Sequence, residues 1–231
     1  MKILTIGDLH GLNVWENKDF SNYDLVIFEG DYVDSFDKTD LEIYNNLMNL
    51  IEFKKSNMKK VILLLGNHDM QYMYHPRYRC TGFRSLMLFN LYQFFNDNRN
   101  LFQISYQYKN YVWTHAGITN AWLKHFYNDA NSAIFEKNND SIADDLNLCR
   151  DSRYMNILME IGIERGGSNI VGGPLWADSS ELLDDYLDNI HQVAGHNPQK
   201  EIWSYRDDSS SITFVDCLQH KIEYFELENE K

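Results

Sequence analysis

The chain has 231 residues, 44% of them hydrophobic and 14% aromatic, which supplies a sizeable core and excludes a disordered chain. Lysine and arginine total 21 against 34 acidic residues, and the formal charge of −13 argues against nucleic acid or an anionic membrane as a partner. Cys80, Cys149 and Cys217 are odd in number and lack metal-ligand spacing, which speaks against a disulfide framework and for a reducing, cytoplasmic setting.

The first apolar run, Lys2 to Ile6, stops at Gly7-Asp8 and is too brief for the core of a secretory signal, so it reads as a buried strand. Leu25 to Phe28, Val61 to Leu65 and Tyr111 to Thr114 are continuous apolar runs of the same kind, and Gln192 to Ala194 is a weaker fifth. Such runs suit strands covered on both faces. Between the second and third, Thr39-Asp40-Leu41-Glu42 spells a capping box, and Ile43, Leu47, Leu50 and Ile51 follow at helical spacing. Phe83 to Phe95 predicts an amphipathic helix with a stripe of Leu86, Phe89, Asn90 and Phe94. Thr119 predicts a cap for a helix through Trp122 and Phe126, and Asn128 to Ile161 is read as helical. Ile212 to Val215 and Ile222 to Leu227 predict antiparallel strands joined through Gln219-His220-Lys221, with fraying from Glu226 to Lys231. No linker-like stretch divides the chain, so one α/β domain over 1–231 is expected.

The chemistry lies where these runs end. Gly7-Asp8-Leu9-His10-Gly11, Gly30-Asp31-Tyr32-Val33-Asp34, Gly66-Asn67-His68-Asp69, Thr114-His115-Ala116-Gly117 and Gly195-His196-Asn197-Pro198 each follow an apolar run directly. In open α/β sheets ligands sit beyond the carboxyl ends of the strands, so these turns converge. Carboxylate, amide and imidazole ligands suit hard or borderline divalent ions, and two such ions side by side are arranged to split phosphate esters.

In order and spelling the five motifs resemble those of the calcineurin-like metallophosphoesterases, closest to the phosphoprotein phosphatase type that includes bacterial and phage Ser/Thr phosphatases and symmetrical diadenosine tetraphosphatases. The resemblance runs from residue 1 to about residue 225, since Phe214-Val215-Asp216 also matches that group's tail. It implies a metallophosphoesterase fold: a central mixed β-sandwich flanked by helices, with a helical insertion. By the same resemblance Asp8 and His10 bind a first metal, Asn67, His115 and His196 a second, and Asp31 bridges two divalent ions of the Mn, Fe, Zn or Mg kind. A water or hydroxide between two metals is acidified toward neutral pH and can attack phosphorus in line. His68 matches the family's general acid and Asp34 the carboxylate that pairs with it, an arrangement that raises an imidazole pKa and fixes its tautomer.

One departure is plain. The second motif of the family reads Gly-Asp-x-x-Asp-Arg-Gly, whereas Ser35-Phe36 follows Asp34 here, so a phosphate-clamping arginine is missing. Arg79 and Arg84, flanking Gly82, are the first candidates to replace it, with Arg77, Arg153 and Arg165 behind them. Pro198, where nuclease-like relatives carry a second histidine, and the Leu175-Trp176-Ala177-Asp178 stretch both fit the phosphoprotein phosphatase type.

The expected activity is hydrolysis of a phosphate ester, most readily a phosphomonoester on a protein or a small metabolite. A nucleotide pyrophosphohydrolase or phosphodiesterase acting on a diadenosine polyphosphate-like substrate is the alternative enzyme. A metal-stabilised interaction module is the non-enzymatic one. The aromatic cluster from Tyr72 to Phe95 reads as helix packing, with Tyr72, Tyr74 and Tyr78 as candidates for the mouth of the site. His75, His125, His191 and His220 carry no motif and read as surface or core-edge residues.

Overall fold

The computed structural model describes residues 1–129 and 141–228. Two five-stranded mixed sheets form a sandwich. In the first, β1 (Lys2–Ile6), β2 (Leu25–Phe28), β3 (Val61–Leu64) and β4 (Phe102–Gln103) run parallel, and β10 (Phe225–Glu228) lies antiparallel beside β1. In the second, β6 (Tyr111–Thr114), β7 (His191–Ala194) and β9 (Ser211–Phe214) run parallel, flanked by antiparallel β5 (Ser105–Tyr108) and β8 (Trp203–Arg206).

The strands form where the apolar runs predict. Alternate residues of each run point to opposite faces, and Ile3, Leu25, Ile27, Leu64, Trp113 and Val193 meet between the sheets. Each such buried side chain stabilises the fold by roughly 1.5–3 kcal/mol. Trp113 also donates from its indole nitrogen to Thr5 Oγ1 at 2.9 Å, a buried polar tie between the layers.

The outer face of the first sheet packs against α1 (Asp40–Ser56), whose Ile43, Leu47, Leu50 and Ile51 join the larger core with Leu4, Val26, Phe28 and Val61. The capping box is present: Thr39 Oγ1 accepts from the Glu42 amide, and the Glu42 carboxylate accepts from the Thr39 amide at 2.8 Å. Thr39→Ala is expected to cost about 1 kcal/mol, read as a lower midpoint in urea with an unchanged slope.

Four expectations differ from what is observed. The segment from Phe83 becomes helical only at α3 (Leu88–Asp97), after a 3-10 turn at Ser85–Met87. That later start rotates the stripe: Leu91, Phe94 and Phe95 are buried, whereas Leu86 and Phe89 are 91% and 73% exposed. The region from Asn128 holds the end of α4 (Asn120–Asp129), then two short helices, α5 (Ile142–Cys149) and α6 (Met155–Leu158), with 130–140 outside the described residues. The last two predicted strands exist but do not pair with each other. Both edges of β9 are already taken, by β7 and β8, so the chain crosses to the other sheet and β10 pairs with β1. Glu226 and Glu228 are paired in β10 and not frayed, and the rest of the expected fraying, at 229–231, lies outside the described residues.

Candidate metal and catalytic site

All five motifs emerge at the carboxyl ends of parallel strands. Asp8 and His10 follow β1, Asp31 and Asp34 follow β2, and Asn67 and His68 open α2 (Asn67–Met73) after β3. His115 and His196 follow β6 and β7 on the second sheet. Gly66 allows a close approach: a Cβ there would lie 2.5 Å from the Asp31 amide nitrogen and closer still to its carboxylate oxygen Oδ1. Asp69 locks the same crossing, accepting from the Tyr32 amide at 3.0 Å and the Gly66 amide at 2.9 Å.

Two donor sets share Asp31: Asp8, His10 and Asp31, and Asp31, His115 and His196, the ligand atoms within each set lying within 4.8 Å of one another. Asn67 Oδ1 stands 3.0 Å from His115 Nε2 and 3.1 Å from His196 Nδ1, and so adds an amide oxygen to the second set. The imidazoles are aimed from behind. His10 Nδ1 is 2.9 Å from the Val33 carbonyl and His115 Nδ1 is 2.7 Å from the Glu29 carbonyl, which leaves both Nε2 atoms facing Asp31, at 3.7 and 3.4 Å. Such outer partners set which nitrogen is free to ligate.

The backbone is bent to present these groups. His10, Asp31, Asp34 and His196 have φ of 42°, 48°, 64° and 62°, a left-handed conformation that costs a non-glycine residue about 1–3 kcal/mol. Surrounding structure must hold them there, as it does at sites where positioning matters more than stability.

Electrostatics point the same way. Burial pushes the Asp31 carboxyl up, but the imidazoles of His115, His68 and His10 outweigh it and hold Asp31 well below the usual carboxylate range. Burial, then repulsion from Asp216 and Asp31, drives Asp8 well above that range. Burial also pushes Asp216 to about 6. Burial and the neighbouring His115 push His196 well down, into the neutral form that ligates. His196 Nε2 is buried without a hydrogen-bond partner among the described residues. Crowded buried carboxylates, neutral imidazoles and an amide oxygen are a donor set that divalent cations satisfy, so the residues fit a metal centre.

Beside these sets, His68 Nδ1 lies 3.0 Å from Asp34 Oδ2. Gln71 donates to that same oxygen and the Tyr72 hydroxyl to Oδ1, so the carboxylate is held on both sides. Burial lowers the His68 pKa, but the Asp31 charge and the Asp34 hydrogen bond more than reverse this and raise it well above its ordinary value. His10, Asp31, Asp34, Asn67, His68 and His196 all line one cavity of about 330 Å³.

The two arginines first expected there are elsewhere. Arg84 turns its guanidinium to Asp40 and to the carbonyls of Ser35 and Lys38, and so braces the loop that follows Asp34. Arg79 lies over the Phe83 ring and lines a smaller adjoining cavity. Arg165 lines the main cavity instead. Its Nε is 2.7 Å from Asp178 Oδ2, and its guanidinium donates to Asn197 Oδ1, next to His196. Tyr72 is buried against Asp34 rather than at the mouth. Trp176 and Phe36 line the cavity in its place, Trp176 edge-on to His196 at 5.5 Å.

Sequence reasoning undervalued Asp216. It lines the cavity two residues after β9, and an apolar run ending in aspartate was the available signal. Glu29 is fully buried one residue before Gly30, with both carboxylate oxygens unpartnered among the described residues, and nothing in the sequence marks it.

The sequence matches the family model described as calcineurin-like phosphoesterase over residues 1–220. No curated protein matches. Among solved structures, a cold-active protein-tyrosine phosphatase of a psychrophilic Shewanella species superposes with a TM-score of 0.60 at 17% identity, over 99% of this chain and 75% of that one. A protein serine/threonine phosphatase from Saccharomyces cerevisiae gives 0.50 at 21% identity, over 93% and 67%. At these identities the likeness is one of fold.

Proposed function

The chain belongs to the calcineurin-like phosphoesterase family, and from that premise we propose that residues 1–231 form one domain hydrolysing phosphomonoesters at a dinuclear metal centre. Membership makes it a metal-dependent phosphoesterase; the substrate class and the residue roles are our reading. Asp8 and His10 hold one cation, Asn67, His115 and His196 the other, and Asp31 serves both. Divalent cations, of the Mn, Fe, Zn or Mg kind, supply an acidified water and positive charge against the phosphoryl oxygens when bound.

The monoester reading is carried by Arg165, which lines the same cavity as Asp31 and His68. A phosphomonoester ends in a phosphoryl group with two charges, and a guanidinium meets such a group with parallel N–H donors. Arg165 thus takes the part of the arginine absent after Asp34, and Asp178 and Asn197 fix its direction. His68 gives its proton to the departing oxygen, while Asp34, held by Gln71 and Tyr72, steadies the imidazole. Phe36 and Trp176 offer apolar surface to the organic part of the ester. The Shewanella neighbour is a protein-tyrosine phosphatase and the yeast neighbour a protein serine/threonine phosphatase. Phosphorylated protein side chains therefore join small phosphorylated metabolites as candidate substrates.

The test compares p-nitrophenyl phosphate, its bis ester, a phosphopeptide and a dinucleoside polyphosphate on Mn-loaded protein. Preference for the two monoesters is the expected result. Faster cleavage of the bis ester or the dinucleotide would overturn it, and metal binding without any turnover would favour an interaction module. Arg165→Ala is expected to raise KM for a monoester by about tenfold or more, because lost charged hydrogen bonds are worth ~1.5–3 kcal/mol. Steady-state kinetics with metal content measured in parallel checks this.

A further inference from the structure

Cys80 reaches the acid pair by a route unrelated to the five motifs. Its amide donates to Gln71 Oε1 at 3.2 Å, anchoring the loop after α2 to the same glutamine that braces Asp34. The loop then folds over the pair: a Cβ on Gly82 would lie 3.3 Å from Asp34 Cβ and 3.8 Å from His68 Cε1. Ligand atoms of Asp34, His68 and Cys80 consequently sit within 4.8 Å of one another. This trio shares no residue with the two donor sets that meet at Asp31.

We propose that Cys80, His68 and Asp34 form a third, inhibitory site for a thiophilic divalent cation such as Zn²⁺ or Cd²⁺. Thiolate, imidazole and carboxylate with a fourth position open to water is a complete tetrahedral set for such an ion. The sets at Asp31 offer only oxygen and nitrogen, so the sulfur at the third site is what selects a soft cation over Mn²⁺ or Mg²⁺. Binding releases the thiol proton to solvent. A ring nitrogen of His68 becomes a ligand, and a coordinated imidazole cannot carry the second proton that makes it an acid. The cation thereby removes leaving-group protonation without touching Asp31; this consequence rests on the reading of His68 given above.

The experiment titrates Cd²⁺ into Mn-loaded protein and follows cadmium–thiolate charge-transfer absorbance together with turnover of an alkyl phosphomonoester and of p-nitrophenyl phosphate. A saturating band is expected, with alkyl ester turnover falling about 10²-fold or more, the scale of lost general-acid catalysis. p-Nitrophenyl phosphate, whose leaving group needs little protonation, should fall far less, whereas displacement of Mn²⁺ would slow both alike. Cys80→Ser should lack the band and keep its turnover across the same titration. No band in the unaltered protein, or equal inhibition of Cys80→Ser, would overturn the proposal. Absence of turnover before cadmium is added would instead count against the phosphoesterase reading, while the band still decides the site. If the serine variant misfolds, iodoacetamide labelling of the unaltered protein decides: Cd²⁺ must slow alkylation at Cys80, with buried Cys149 and Cys217 as internal controls, and unslowed labelling rejects the site.

Discussion

Replacing His68 by alanine should lower kcat for an alkyl phosphomonoester by about 10²–10⁴-fold, the usual contribution of a positioned general acid. The effect should be graded by leaving group. An alkoxide departs only with a proton, whereas p-nitrophenolate departs readily without one, so the same substitution should cost p-nitrophenyl phosphate much less. Bound metal should be unchanged, because His68 faces Asp34 and belongs to neither donor set around Asp31. Asp34→Asn should slow the enzyme by the same route and add little in the His68→Ala background, since the two residues act as a unit. A loss equal across leaving groups would show instead that His68 binds substrate or metal.

Asp31→Asn keeps the shape of the side chain and removes the charge shared by both donor sets. Turnover should drop to that of the metal-free protein. The thermal response is equally diagnostic: each cation site filled at 100 times its dissociation constant stabilises the unaltered fold by about 2.7 kcal/mol. For a chain of this size that corresponds to roughly 5–10 °C in Tm. The variant should show no such rise on adding Mn²⁺, by scanning calorimetry. A full metal-dependent shift in Asp31→Asn would mean that the cations bind without it.

That these side chains would lie together was legible in the sequence, and the reason is local. Asp8, His10, Asp31, Asn67, His115 and His196 each sit one turn beyond an apolar run, and strands ending in glycine-containing turns bring such residues to one edge. The capping box before α1 was legible for the same reason, being a contact between residues three apart. What stayed hidden depends on distant partners. Arg165 earns its place through Asp178 and Asn197, not through any neighbour in sequence. Arg84 and Arg79 were equally plausible until Asp40 and Phe83 claimed them. β8 carries exposed residues along its whole length and so offers no apolar run to detect. The partner of β10 follows from which strand edges were already occupied, a property of the assembled sheets.

The donors at Asp31 come from both layers of the sandwich: Asp8, His10, Asp31 and Asn67 from the first sheet, His115 and His196 from the second. The His196 amide donates to both carboxylate oxygens of Asp8 across 188 residues of chain. Contacts of such separation form only after a large loop-closure cost has been met. With only the first sheet complete, Asp8, His10 and Asp31 could come together, but the second set would lack His115 and His196. Completion of the second donor set is thus a property of the finished tertiary structure, and the appearance of its cation affinity during refolding would time the docking of one layer onto the other.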